Sequence, residues 1–290
     1  MEIGIYYDYE LKDIGMEFLK KADNKIQNVL EEVKSSTRIL GYHEIGNWLE
    51  EHGRKDLLFF FQDVIPYSAF NTEFENLFSK DNRLQGFLKR GGTVVWLGDV
   101  PFFHRIRCER MRVNENFVRD TIGALKSNFM KEKLSLMKIT EEEVCFRDII
   151  STAYTPINLF FNPIIPFPVL FNIPIPTKYL GFLDITQVCY ADKLLNTSET
   201  LFGKLMELSS FGQIKGTFEK SHRPHKITHN MIPLNRITIN EQFCEGDYTG
   251  SWMAEVEEGY FVRLLDYSSE ITEENIKDSI KLGIKLVELQ

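Results

Sequence analysis

The chain has 290 residues, 43% of them hydrophobic and 26% charged, and carries a formal net charge of −8. That composition belongs to a folded globular protein long enough for one large core, and it excludes disordered and fibrous classes. The acidic balance lacks the electrostatic footprint of a nucleic-acid binder, so no nucleic-acid partner is expected, and the basic group Arg105, Arg107, Arg110 and Arg112 reads as a solvated face.

The four cysteines, Cys108, Cys145, Cys189 and Cys244, form no CxxC pair. Reduced thiols are therefore the expectation, and with no basic and apolar leader ahead of Ile3 the expected location is cytoplasmic.

Taken in order, Ile3 to Tyr7 reads as a strand, and the apolar spacing from Leu11 to Val33 predicts a helix of about six turns. Thr37 to Leu40 is a second strand, followed by a helix with Ile45, Trp48 and Leu49 on one face and a stop at Gly53. The apolar run Asp56 to Phe61 suits a strand covered on both faces. A loop at Pro66 and a helical stretch lead to Asn82–Arg105, where a helix ends at Gly91-Gly92, a strand runs from Thr93 to Leu97, and the chain turns sharply at Gly98-Asp99-Val100-Pro101. Four strand-helix repeats predict an α/β fold with a doubly wound, mostly parallel sheet of flavodoxin-like or amidotransferase-like type.

From Phe102 to Ile150 the pattern is mostly helical, with helices expected at Asn116 to Lys131 and from Thr140. Residues 151–183 form a Phe/Pro-rich insertion, with Pro156, Pro163, Pro166, Pro168, Pro174 and Pro176 among Phe, Ile and Leu. So many prolines argue against a membrane span, and the insertion reads as a segment folded on the sheet, a lid over a pocket or the contact of a homo-oligomer. Thr197 to Ser209 reads as a helix and Lys226 to Met231 as a strand. Residues 252–290 then give strands Trp252 to Val256 and Tyr260 to Leu265 and a helix opened by Thr272, with Ile276, Ile280, Ile284 and Val287 on one face. The last strand is expected to return to the first sheet, making residues 1–290 one composite domain.

Ligands of open α/β sheets bind beyond the carboxyl ends of the strands. Those ends carry Asp8, Tyr42-His43-Glu44, Gln62-Asp63, Gly98-Asp99 and Asp266. Carboxylates gathered there can hold a divalent cation or serve as acid and base, or they can simply cap the following helices. His222, His225 and His229 suggest a metal site by residue type, although on a strand His225 and His229 would stand about 13 Å apart. No GxGxxG or Walker A sequence is present, no cofactor is indicated, and no Ser or Cys stands at the Gly98–Pro101 turn.

The helix-Gly-Gly-strand unit Leu84 to Gly98 resembles the class I glutamine amidotransferase-like superfamily, and within it the trehalose-utilisation (ThuA-like) type. Phe202-Gly203, Ser221-His222-Arg223-Pro224 and the strand Gly259 to Leu264 add to the likeness. The amidotransferase cysteine belongs at the elbow, where this chain has Asp99 and Val100. The resemblance thus implies a domain without glutamine hydrolysis that binds a small polar molecule or a partner protein at Asp8, His43, Glu44, Gly98 and Asp99. The alternative is a hydrolase using Asp99 with Asp63, Glu44 or His104 as acid, base or metal ligands.

Overall fold

Four runs of apolar residues separated by helices build the N-terminal part of the protein. In chain order they are β1 (Ile3–Tyr6), α1 (Asp23–Val33), β2 (Arg38–Leu40), α2 (Ile45–Glu51), β3 (Leu57–Phe60), β4 (Ile65–Pro66), α3 (Arg83–Lys89) and β5 (Thr93–Leu97). The computed structural model describes residues 1–12, 19–70, 82–98, 101–102, 104–109, 138–139, 144–149, 175–180, 185–188, 195–205, 216–218, 224–241, 244–264 and 271–288. The middle of the chain contributes β6 (His104–Glu109), β7 (Lys138–Ile139), β8 (Val144–Ile149), β9 (Ile175–Leu180), β10 (Ile185–Val188), β11 (Leu195–Glu199), α4 (Leu201–Leu205) and β12 (Gly216–Phe218). It continues through β13 (His225–Lys226), β14 (Ile232–Pro233), β15 (Asn235–Glu241) and β16 (Cys244–Thr249), and closes with the hairpin β17 (Trp252–Val256) and β18 (Gly259–Leu264) and the helix α5 (Glu273–Glu288).

The result is a mixed α/β architecture around a mostly parallel seven-stranded sheet of order β14-β17-β18-β5-β3-β1-β2. β2, β1, β3, β5 and β18 are mutually parallel, and numbered by their succession in the chain they lie in the order 2-1-3-4-5. β5 is thus interior, paired with β3 over Thr93 to Trp96 and with β18 over Thr93 to Leu97.

Alternation along the strands sorts the core into two layers. Ile3, Ile5, Leu57, Phe59, Val95, Leu97, Val262 and Leu264 face α1 and α5, which contribute Ile26, Val29, Leu30, Ile276 and Val287. Tyr6, Leu58, Phe60, Val94, Trp96 and Phe261 face α2 and α3, which contribute Ile45, Trp48, Leu49, Leu84, Phe87 and Leu88. Helices therefore cover both faces, and each fully buried aliphatic or Phe side chain stabilises the fold by about 1.5–3 kcal/mol. Asn82 caps α3 by accepting the Gln85 N–H at 2.7 Å. Gly91, at φ 84°, ends it: the Gly91 N–H donates to Leu88 O and the Gly92 N–H to Phe87 O, which delivers the chain directly into β5.

Two further sheets were not anticipated. β12-β11-β15-β16-β13-β10-β9 is antiparallel, and β4-β6-β8-β7 is a small sheet in which β4 and β6 pair in parallel. Asn235 ties the antiparallel sheet to the main one: its Oδ1 accepts the Thr249 hydroxyl and the Gly250 and Ser251 N–H groups at 2.9–3.1 Å, at the step from β16 to β17.

Several expectations from periodicity are corrected. Of the helix placed from Leu11, residues 13–18 lie outside the described residues, Leu19–Ala22 is a 3-10 turn and α1 proper runs from Asp23. Leu11 lies in a turn held by the Asp8 carboxylate and packs with Tyr42, Val64 and Ile106 instead of with α1. Pro66, read as loop, belongs to β4, an edge strand in which its missing N–H costs no ladder bond. Within Phe102–Ile150 the described elements are the strands β6, β7 and β8, and residues 110–137 and 140–143, where helices were expected, lie outside the described residues. Thr197 to Glu199, expected as the start of a helix, is strand; of the rest, α4 is helical as expected and residues 206–209 lie outside the described residues, while the strand read at Lys226 to Met231 is the two-residue β13. Of the 151–183 insertion, β9 is described and residues 151–174 and 181–183 lie outside the described residues.

The cysteine reading also changes. Cys108 and Cys145 are a disulfide, with Cα atoms 4.0 Å apart. They are register partners across antiparallel β6 and β8, a proximity that 37 positions of sequence separation conceal. No helix among the described residues is long and apolar enough to cross a membrane.

Candidate functional site

The carboxyl ends of the parallel strands meet a change of direction between β1 and β3. The loop after β1 leads to α1 on one face, whereas the chain after β3 leads through β4 to α3 on the other. A strand order of this kind leaves a crevice where the two loops part.

Gln62 stands where those two loops part. Its Oε1 accepts the Asp8 N–H at 3.1 Å and its Nε2 donates to Asp8 O at 3.0 Å. The side-chain amide thereby extends the β1–β3 ladder one step past the end of β3. Gln62 and Asp63 are both fully buried: the chain after β3 continues at once into β4 of the small sheet, and Val64 between those strands packs on Ile106 and Cys145 of that sheet.

The sequence-predicted carboxylates are used to hold these loops. Asp8 accepts the Glu10 and Leu11 N–H groups on Oδ1, at 2.9 and 3.1 Å, and the Tyr42 N–H on Oδ2 at 2.9 Å. Glu44 accepts the Gly41 N–H at 3.0 Å. Asp63 accepts the Leu19 N–H at 3.2 Å. Ring packing of His43 on Tyr42, with centroids 5.1 Å apart, leaves the His43 side chain exposed beside the crevice. Asp8, Tyr42, His43, Glu44 and Gln62 are thus assembled at the ends of three different strands. Asp99 and Asp266 lie outside the described residues, and His104 sits in β6 of the small sheet.

Two left-handed residues mark the exit from β5. Gly98 has φ 102° and Phe102 has φ 65°. A Cβ at Gly98 would lie 3.2 Å from Asp63 Cβ and 3.2 Å from Leu19 Cγ, so the position needs glycine for space as well as for conformation. Phe102 is wedged among Trp96, Phe261 and Phe70, with centroids 5.3–5.7 Å away, and this packing holds a bulky residue where φ is unfavourable.

The groups that sequence reasoning missed lie behind this turn. Arg263, fully buried in β18, points its Nε at Gly98 O at 3.4 Å and its Nη1 at His225 Nδ1 at 2.8 Å. Trp252 Nε1–H, opposite Arg263 in the β17–β18 hairpin, donates to the same His225 Nδ1 at 3.2 Å. With both donors on Nδ1 the imidazole is neutral and its proton sits on Nε2. Burial first, and the Arg263 charge second, hold His225 well below its ordinary pKa. The available signal was a lone arginine in the otherwise apolar run Tyr260 to Leu265, where strand alternation puts it in the core.

The histidines do not assemble as a metal site among the described residues. His225 is buried on Arg263 and Trp252, His229 is exposed, and His222 lies outside the described residues. Among the described residues no three His, Cys, Asp or Glu side chains converge in a way that could hold an ion.

The MJECL34 family matches residues 9–152, just short of half the length, a stretch that starts after Asp8 and covers the Tyr42–Glu44 and Gln62–Asp63 loops and the small sheet. No curated protein matches the chain.

Proposed function

We propose that the protein binds a small polar molecule in the crevice between the β1 and β3 loops, as a flavodoxin-like or amidotransferase-like domain without glutamine hydrolysis. The observation that carries this reading is the strand order 2-1-3-4-5, with polar groups of Asp8, Tyr42, His43, Glu44 and Gln62 gathered at the point where the loops diverge. Binding suits these residues better than acid–base chemistry does. Asp8, Glu44 and Asp63 each spend acceptor capacity on backbone N–H groups, which fixes loops and leaves less for a substrate proton.

The test is a thermal-shift panel of nucleotides, sugar phosphates, amino acids and carboxylic acids, in which a ligand that binds only the folded state raises Tm with concentration. At least one class is expected to do so, and His43→Ala, which removes an exposed side chain, is expected to abolish the shift while leaving the unliganded Tm in place. A panel without a response, or a response indifferent to His43→Ala, overturns the reading.

A hydrolase using Asp99 is the second reading, supported by the strained exit from β5, where Gly98 and Phe102 flank that aspartate in sequence with positive φ. Turnover on a hydrolase substrate panel, lost in Asp99→Asn, is its expected signature; unchanged turnover in that variant removes it.

A further inference from the structure

The disulfide is placed against the crevice. Cys108 is half-buried and Cys145 buried, and Cys145 belongs to a small cluster with Leu11, Tyr42, Val64 and Ile106. The Cys108 N–H donates to the Tyr42 hydroxyl at 3.1 Å, while the Tyr42 N–H donates to Asp8 Oδ2 at 2.9 Å and its carbonyl accepts the Ser68 hydroxyl. One tyrosine therefore touches both the disulfide-bearing strand and the carboxylate at the crevice. β4 meets β6 through the register pairs Ile65–Arg105 and Pro66–Ile106, and β6 meets β8 through an antiparallel ladder in which Cys108 faces Cys145.

We propose that the Cys108–Cys145 disulfide is a redox-controlled clamp, whose reduction by a dithiol frees the β6–β8 pair and loosens Tyr42 at the edge of the crevice. The exchange is balanced. A thiolate of the reductant attacks Cys108 Sγ, the more accessible sulfur, and forms a mixed disulfide while Cys145 leaves as a thiolate and takes a proton from water. The second thiol of the reductant then displaces Cys108, so two electrons and two protons pass to the protein and the reductant becomes a disulfide. Loss of the cross-link lowers the cost of opening the small sheet locally, because the β6–β8 ladder and the cluster around Tyr42 then hold it without a covalent tie.

The clamp's bearing on ligand binding rests on the proposed crevice, but its movement is measurable without a ligand. The full-length protein is cycled between oxidised and reduced dithiothreitol, with peptide mapping of alkylated Cys108 and Cys145 and hydrogen exchange followed by mass spectrometry. The expected result is that both cysteines resist alkylation until reduced. Peptides containing Tyr42 and β6 then exchange on the order of tenfold faster, reversibly, with α5 unaffected. A double variant, Cys108→Ala with Cys145→Ala, is expected to stay in the fast-exchanging state whatever the buffer; should it not fold, the cycle on the natural sequence decides alone. Free thiols at both positions before reduction, or exchange at Tyr42 that is the same in both states, overturns the clamp. A redox response with no hit in the ligand panel would remove only the binding reading, and a hit with no redox response only the clamp.

Discussion

Arg263 Nη1 lies 2.8 Å from His225 Nδ1, and neither residue has any solvent exposure. A guanidinium is always charged, so it pairs here with the unprotonated nitrogen of a neutral imidazole, and a second proton on His225 would face that charge directly. The pair joins β13, an interior strand of the antiparallel sheet, to the last parallel strand, where Arg263 also reaches the carbonyl of Gly98.

Acid is expected to destabilise the protein through His225. Its pKa is 6.5 when unfolded and well below that when folded, so beneath pH 6.5 the unfolded state binds the extra proton and stability falls as pH drops. The slope approaches about 1.4 kcal/mol per pH unit for this one group. Urea denaturation between pH 8 and 5 measures it, and His225→Gln should flatten the slope in that window. Glu2 acts separately and lower: its hydrogen bond to His52 holds its pKa below 4.5, so the stability it contributes is present above that pH and disappears as pH falls through the folded value.

Gln62→Leu keeps the volume of the side chain and removes both of its bonds to the Asp8 main chain. Leaving that N–H and C=O without their partners costs about 2 kcal/mol, read as a lowered urea midpoint at unchanged m-value. The Asp8 amide should also exchange faster. A variant as stable as the natural protein would mean that Gln62 does not hold the Asp8 main chain in place.

Gly98→Ala should be costly for its size. The left-handed backbone at φ 102° and the new Cβ contacts with Asp63 and Leu19 add to about 2 kcal/mol or more. Gly86→Ala in α3 is the control, since there the nearest contact is a flexible arginine tip, Arg90 Nη1 at 3.2 Å, and alanine favours the helix. Thermal denaturation of the two variants should move in opposite directions.

Asn235→Ala tests the junction of the sheets. It strands the Gly250 and Ser251 N–H groups in a buried place, while the Thr249 hydroxyl keeps the Ser251 carbonyl at 2.6 Å, for a loss of about 2 kcal/mol. Near-native stability by chemical denaturation would show that water replaces the amide.

How much could be read ahead depended on the range of the interaction. The strand at Thr93 to Leu97, the Gly91-Gly92 stop before it and the Thr272 cap of α5 are set by neighbours a few residues apart, and each stands where the residue pattern put it. Leu11 shows the limit: it continues the helical spacing of Ile26 and Val29, yet the Asp8 carboxylate turns the chain there and sends Leu11 to another cluster. The strand residues between Phe102 and Glu199 were equally hidden, because polar, alternating segments such as Arg105 to Glu109 take strand form only when a partner ladder such as β8 is present.

The sequence alone determined the α/β class and the set of polar residues at the strand ends, since burial on both faces demands continuous apolar runs and loops must carry the polar groups. Tertiary structure decided which of those residues meet. The 2-1-3-4-5 order brings Gln62 to Asp8, 54 positions away, and hairpin and ladder pairing brings Arg263 to His225 and Cys108 to Cys145. Each of those contacts requires loop closure over tens of residues, and only the burial of the whole core offsets that entropy.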